Sequence, residues 1–310
     1  MHVTPLGTTG LEISSVSFGT APLGQLFGPV PLETGIAAVD EAIDLGITFF
    51  DSSPYYGDAE ERLGIALKGK RDRVLIGTKA GRNRGEIFDF SPAAIRRGVE
   101  ESLRLLQTDH LDVLQLHDIE FVDLGPVLDD GYATLLALRE EGKCRAIGMT
   151  GYSLAAARRV LTETQVDVVL NFAHGTLLDN SLSDTLGDLA RERGVALMNA
   201  AAVALGLLTP AITRIAAEGH MSPSGVVEAA VRMSAVCAEA GADIAFLANQ
   251  YAIQRSGAIT TVVGTTDVHH LRQAVEAAAA PIDEDLLQAV LACRPDVAAN
   301  QWALGLPENS

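Results

Sequence analysis

Eight times along this chain a short, apolar, β-rich run is followed by a longer segment with helical periodicity, an alternation that few folds accommodate. The runs VSFGT (16–20), ITFFD (47–51), VLIGTK (74–79), LDVLQLH (111–117), RAIGMT (145–150), VDVVLN (166–171), VALMNA (195–200) and ITTVVG (259–264) read as strands. Helices are expected over 31–45, 59–68, 91–106, 123–141, 154–163, 181–193, 224–253 with a break near Gly241, and 267–279. The strands are continuously apolar, as strands are when both faces are covered. Eight such units in about 280 residues, with no compositional break to mark a linker, predict one closed (β/α)8 TIM barrel and a single domain over residues 1–310.

Before the first strand, VTPLG and LEIS flank TTG and predict a hairpin capping the barrel bottom. The tail beyond residue 280 lies outside the repeat and is expected to fold over one end. A doubly wound open sheet is the alternative architecture. It would want a glycine-rich GxGxxG turn after the first strand, where VSFGTAPLG offers only Gly19 and Gly24.

With 48% hydrophobic residues among 310, the chain can bury a large core. Its formal net charge of −17 argues against nucleic acid or an anionic membrane as a general partner. MHVTPLGTTGLEIS has neither a basic start nor a continuous apolar stretch, and nothing resembles a span of ~20 lipid-facing residues, so a cytoplasmic protein is expected. Cys144, Cys237 and Cys293 are odd in number and widely spaced, which fits buried reduced thiols better than disulfides or a zinc site.

In such a barrel the C-terminal strand ends share one rim, where functional groups gather. Three successive predicted strands end in ionisable residues: Asp51, Lys79 and His117. Each alone has a structural explanation, as a turn cap, a snorkelling lysine or a satisfied rim histidine. Three together on adjacent strands point to a site, because desolvating them jointly needs a reason. Lys79 also stands out as one of only four lysines, the others being Lys68, Lys70 and Lys143.

Tyr56 follows in the loop over the same rim, with Tyr55 as its rival; Gly57 favours Tyr56 by permitting the turn that aims it inward. An acid, an ammonium, an imidazole and a phenol could run proton transfer coupled to hydride transfer. An adjacent Lys79 would lower the phenol's pKa, Asp51 would orient Lys79, and His117 would hydrogen-bond the substrate oxygen.

SPYYGDAEERLG just behind Asp51 and Ser52, then IGTKAGR, LDVLQLHDIEF, GKCRAIGMTG and NAAAVALGLLT, in this order across nearly the whole chain, resemble the aldo-keto reductase superfamily. The resemblance implies a (β/α)8 barrel using a nicotinamide cofactor without metal, and a catalytic tetrad of Asp51, Tyr56, Lys79 and His117. SPYYG, LHDIEF, GMTG, NFAHG and GLLT resemble the branch of L-galactose and L-fucose (D-threo-aldose) 1-dehydrogenases. That branch implies oxidation of the anomeric carbon of a small neutral sugar to a lactone. An NADPH-dependent aldehyde or ketone reductase is the alternative, and a cofactor-sensing subunit without turnover a remoter one.

The resemblance places cofactor contacts at Gly19, Thr20, Thr150, Asn171, Ala200, Leu205, Gly264, Thr265, Thr266, His270 and Gln273. Thr150 and Gly151 stand where many relatives have Ser-Asn, Asn171 stands for a glutamine, and Ala200 for a tyrosine that stacks on the nicotinamide. The segment VVGTTDVHHLRQAVEA lacks the cation that many NADP-using relatives supply, with only Arg272 nearby, so NAD is expected over NADP. Tyr55, Asp118 and His174 are candidate substrate contacts, as is Trp302. His269 and His270 with Asp267 are not expected to bind metal, since adjacent helical side chains point about 100° apart.

Overall fold

Eight parallel strands close on themselves in the order in which the chain makes them: β1 (Val16–Gly19), β2 (Phe49–Asp51), β3 (Leu75–Ala80), β4 (Leu111–Leu116), β5 (Cys144–Gly151), β6 (Val168–Phe172), β7 (Ala196–Ala200) and β8 (Thr260–Gly264). The computed structural model describes residues 1–296 and 304–309. The ring is sealed by β8 against β1, with Gly264 opposite Gly19, and by β5 against β6.

Both faces of the sheet are dry. Outside, Phe18, Phe50, Ile76, Leu114 and Ile147 meet the buried stripes of the helices. Inside, Phe49, Val113, Ala146, Val168 and Met198 fill the barrel. Leu6, Leu11 and Ile13 join that inner cluster from the N-terminal hairpin, in which Val3–Pro5 pairs with Glu12–Ser14. The expected hairpin thus becomes a plug in the barrel floor.

Local chemistry marks the helix ends. Ser91 caps Pro92–Leu106 through Ala94 N at 3.3 Å, and Gln107 ends that helix in the left-handed region. The expected break near Gly241 separates Ser224–Glu239 from Ile244–Gln254, at φ +69°. The expected helix over 123–141 is less regular: a turn at Leu124–Pro126 passes into a π-helical turn, Val127–Gly131, before Tyr132–Glu140. Pro126 has no N–H for a regular helical ladder there.

Three elements add to the expected plan. A short hairpin, Arg82–Asn83 with Ile87–Phe88, follows β3. A helix, Ile212–Glu218, follows β7. In the tail, Glu284–Leu291 buries Leu287 and Val290 in a cluster with Val226, Met233 and Leu247. Farther on, Leu306 N donates to Glu120 O at 2.9 Å, so residues 304–309 reach the rim that carries the strand ends. Trp302 lies outside the described residues. Among the described residues no helix is long and apolar enough to cross a membrane.

Backbone strain is concentrated on that rim. Among the described non-glycine residues with positive φ, Gln25, Glu86, Asp118, Ala173, Ala201, Ala204 and Leu205 lie in loops leaving the C-terminal ends of strands, and only Gln107 lies elsewhere. One close approach fixes the loop that carries Tyr56. A Cβ on Gly24 would lie 1.6 Å from Tyr56 O and 2.8 Å from Ala59 N, while Asp58 N donates to Gly24 O at 3.3 Å. Gly24→Ala should therefore force these two loops apart and lower unfolding stability by roughly 1–3 kcal/mol, read as an earlier urea midpoint; an unchanged midpoint would contradict the contact.

Candidate active site

The barrel register sets Asp51 opposite Gly77 and Lys79 opposite Gln115, which brings the ends of β2, β3 and β4 to one mouth. Lys79 Nζ donates to Asp51 Oδ2 at 2.6 Å and to Ser52 O at 2.8 Å. The two side chains are 1% and 4% exposed. Burial pushes the Asp51 carboxyl up, against the opposing pull of Lys79.

Tyr56 reaches this pair from the loop after β2. Its N–H donates to Ser53 O at 3.0 Å, and Gly57, at φ +60°, makes the turn that the sequence requires. Lys79 Nζ lies 4.7 Å from the centre of the Tyr56 ring, and the His117 ring stands edge-on at 5.6 Å. Asp51, Tyr56, Lys79 and His117 are therefore together.

The expected lowering of the Tyr56 pKa is not what the structure gives. Desolvation, then the Asp51 carboxylate, then Asp118 hold this phenol well above its ordinary range. The physical reason is that Lys79 spends its charge on Asp51 at hydrogen-bond distance. His117 is driven the other way: burial, then Lys79, then Arg82 hold it well below the usual imidazole range, so it is neutral. Ser53 Oγ accepts from Tyr55 N at 3.1 Å and has its own hydrogen to give to His117 Nδ1 at 2.9 Å. With the Ser53 hydroxyl as the donor, the imidazole proton sits on Nε2.

Beside His117 lies a second charged cluster. Arg82 donates through Nη1 to Asp118 Oδ2 and through Nη2 to both Glu86 oxygens, at 2.9 and 2.7 Å. Its guanidinium sits 3.8 Å over the Tyr55 ring, whose hydroxyl donates to Glu86 Oε1 at 2.8 Å. Tyr55 is thus engaged by Arg82 and Glu86, while Tyr56 is the tyrosine beside Lys79. Phe88 and Phe121 stack at 5.1 Å, and Tyr152 stands edge-on to Phe121. Glu120, fully buried, accepts from Tyr152 N at 2.6 Å through Oε1; burial and then Asp118 push its carboxyl up to about 8. Asn309 Nδ2 donates to the carbonyls of Glu120 and Val122, so the tail closes over this side of the mouth.

The remaining candidates follow the rim from β5 round to β1. Asn171 is fully buried; its Nδ2 donates to Gly151 O and Tyr152 O, while its Oδ1 has no partner and suits a ligand's amide N–H. Thr150 Oγ1 accepts from Asp118 N at 3.3 Å and donates to Asp118 Oδ1 at 3.4 Å. Ala200 ends β7, and Leu205 follows in the left-handed region, 38% exposed. Gly264 is exposed, and Thr265 and Thr266 lead into the helix Val268–Ala279, which carries His270 and Gln273 in its first two turns. Asp267 caps that helix through His269 N at 2.8 Å. Arg272, the nearest cation, is held by Glu41 at 2.7 and 3.0 Å. Gly19 faces Gly264, and a Cβ there would lie 3.1 Å from its Cα. Thr20 is buried and donates to Ser52 Oγ at 2.9 Å.

His174 is buried in its loop, with Nδ1 at 2.7 Å from Asp179 Oδ2 and 3.0 Å from Ser181 Oγ, a loop-holding arrangement. Among the described residues no group of three or more His, Cys, Asp or Glu side chains is placed to hold a metal ion. Ser53, Arg82, Glu86 and Glu120 are parts of the mouth that sequence reasoning passed over. For Arg82 a signal was present in IGTKAGR, which sets a second cation three residues beyond the buried lysine.

The Aldo/keto reductase family model matches residues 15–294. L-galactose dehydrogenase from Arabidopsis thaliana is 37% identical over 321 aligned positions, covering 100% of this chain and 99% of that protein. D-threo-aldose 1-dehydrogenase from a Pseudomonas species is 28% identical, covering 89% of this chain and 93% of its own length. Among solved structures, an aldo-keto reductase from Bacillus halodurans superposes with a TM-score of 0.75 at 23% identity, covering 100% of this chain and 99% of that one, which speaks for the fold. The barrel, the matched span and the full-length relative together place this chain in the aldo/keto reductase family, as an oxidoreductase enzyme.

Proposed function

We propose that this protein is an NAD-dependent aldose 1-dehydrogenase that oxidises the anomeric carbon of a small neutral sugar to a lactone. The observation that carries the reading is the convergence of the Tyr56 phenol, the Asp51–Lys79 pair and a neutral His117 within one mouth. The full-length likeness to a plant L-galactose dehydrogenase supports the substrate class.

In this reading Nε2–H of His117 donates to the substrate oxygen, and Tyr56 takes that oxygen's proton when the sugar is oxidised. The phenolate that must precede this step forms beside the Asp51–Lys79 pair, with the Lys79 ammonium 4.7 Å from the ring centre. A bound nicotinamide would accept the hydride. Asn171 Oδ1, the buried acceptor without a partner, fits the N–H of its carboxamide. Gly264, Thr265, Thr266, His270 and Gln273 would line the pyrophosphate and adenosine end at the start of the last barrel helix, where backbone N–H groups favour an anion. Gly19, Thr20, Thr150, Ala200 and Leu205 would border the nicotinamide and ribose.

Two features favour NAD over NADP. Arg272 is engaged by Glu41, and the N-cap position holds the Asp267 carboxylate; both disfavour a dianionic 2′-phosphate. The sugar end draws support from the mouth's polarity. Asp118 and Glu86 neutralise Arg82 and present oxygen acceptors, and Tyr55, Phe88, Phe121 and Tyr152 supply flat apolar faces. Such a surface suits a neutral polyol.

A second reading has one observation in its favour. A phenol held well above its ordinary range is a ready proton donor, which suits carbonyl reduction by the same four residues. The two directions separate by pH. Oxidation needs Tyr56 deprotonated, so its rate should climb through the alkaline range toward and beyond about 10. Reduction needs the phenol, so its rate should hold to that range and then fall.

Nucleotide absorbance followed with NAD and NADP separately, against L- and D-aldoses and simple aldehydes, should show sugar oxidation with NAD. Aldehyde reduction with NADPH and no sugar oxidation would overturn the proposal. Tyr56→Phe should lose turnover by about 10²-fold or more while binding nucleotide as the wild type does; a near-normal rate would mean that another group moves the proton. Glu41→Gln should free Arg272 and narrow the preference for NAD over NADP several-fold, measured as the ratio of the two kcat/KM values. An unchanged ratio would remove Arg272 from the cofactor argument.

A further inference from the structure

Arg82 is 6% exposed, on the hairpin that follows β3. It is fixed on three sides: Nη1 by Asp118 Oδ2, Nη2 by the two Glu86 oxygens, and its plane by the Tyr55 ring. Asp118 stands at φ +52°, next to His117 in the chain, and its Oδ2 lies 3.5 Å from His117 Nε2. That separation is too long for a good N–H···O bond. With the Ser53 hydroxyl donating to Nδ1, Nε2 carries the only N–H of the neutral ring. A free carboxylate so close would capture that N–H and draw the ring toward imidazolium.

We propose that Arg82 is a positioning residue: by binding Asp118 Oδ2 it holds that carboxylate off His117 and reserves Nε2–H for the substrate oxygen. The inference rests on the reading that His117 donates to that oxygen. The groups facing the imidazole agree with it. Lys79 comes from β3, with Asp51 behind it on β2; Tyr55 and Tyr56 stand edge-on at 6.0 and 5.6 Å from the loop after β2; Arg82 comes from the hairpin, and Thr150 of β5 holds Asp118. Lys79 and Arg82 oppose a charged imidazole, and Asp118 alone among these neighbours lies close enough to favour one directly. Losing Arg82 removes one opposing cation and unties the one favouring anion.

The test is the imidazole nitrogen NMR signal of His117 in the intact protein, without substrate or nucleotide, across pH. The wild-type ring should stay neutral, with the proton on Nε2, well below the ordinary imidazole range. In Arg82→Met its titration should rise by roughly one to two pH units, and in Arg82→Met/Asp118→Asn most of that rise should disappear. Arg82→Gln serves equally should methionine unfold the hairpin. An unmoved titration in the single variants, or the same rise with and without Asp118→Asn, would overturn the proposal. Because no reaction is involved, a protein that oxidises no aldose yet shows these titrations would refute the proposed function and leave the Arg82 role standing.

Discussion

A carboxylate and an ammonium share the barrel mouth at 2.6 Å, both almost wholly out of water, and the other charges there follow from that pair. Neither partner would be tolerable alone: removing one from such a site costs on the order of 3–5 kcal/mol, because the other is left buried and uncompensated. The backbone acknowledges the arrangement, with Ser52 O as the second acceptor for Lys79. The pair is compact and neutral as a unit, so Lys79 does little to ionise Tyr56. The phenol responds instead to its desolvation and to Asp51 and Asp118. Meanwhile His117, packed among Lys79 and Arg82, stays uncharged. The mouth therefore rests as a protonated phenol beside a neutral imidazole, with Lys79 matched by Asp51 and Arg82 shared between Asp118 and Glu86.

The barrel makes this possible by separating rigidity from strain. Its floor is plugged by Leu6, Leu11 and Ile13, and its walls are dry on both faces. Strained residues gather on the opposite rim, where the loops leaving β1, β3, β4, β6 and β7 carry non-glycine residues with positive φ. Asp118 is among them, and its conformation is what sets a carboxylate beside His117 with Arg82 on its other side. A well-packed scaffold can hold such conformations where chemistry needs them.

Much of this was legible in the chain itself. Continuous apolar runs located the eight barrel strands, and three of them ending in Asp51, Lys79 and His117 located the mouth. Gly57 turns the chain so that the Tyr56 ring lies beside Lys79. What could not be read depended on distances between segments far apart in sequence. The hairpin at 82–88 pairs only two residues on each side and is too short for a periodic pattern; the contacts of Arg82 with Asp118 and Tyr55 tie it to the mouth. The direction of the Tyr56 shift turned on whether Lys79 would meet Asp51 or the phenol first. The docking of residues 304–309 on Glu120 depends on Asn309 finding two carbonyls 187 and 189 positions away.

How far Asp51 adds to burial in holding the Tyr56 phenol protonated is read from the titration of the Tyr56 ring, followed by carbon NMR in the wild type and in Asp51→Asn. The wild-type phenol should titrate above the ordinary value of about 10, with a clear downward shift in Asp51→Asn, where the raising anion is gone and the Lys79 ammonium is no longer neutralised. A wild-type phenol that titrates at or below its ordinary value, or one that ignores the loss of Asp51, would contradict this account.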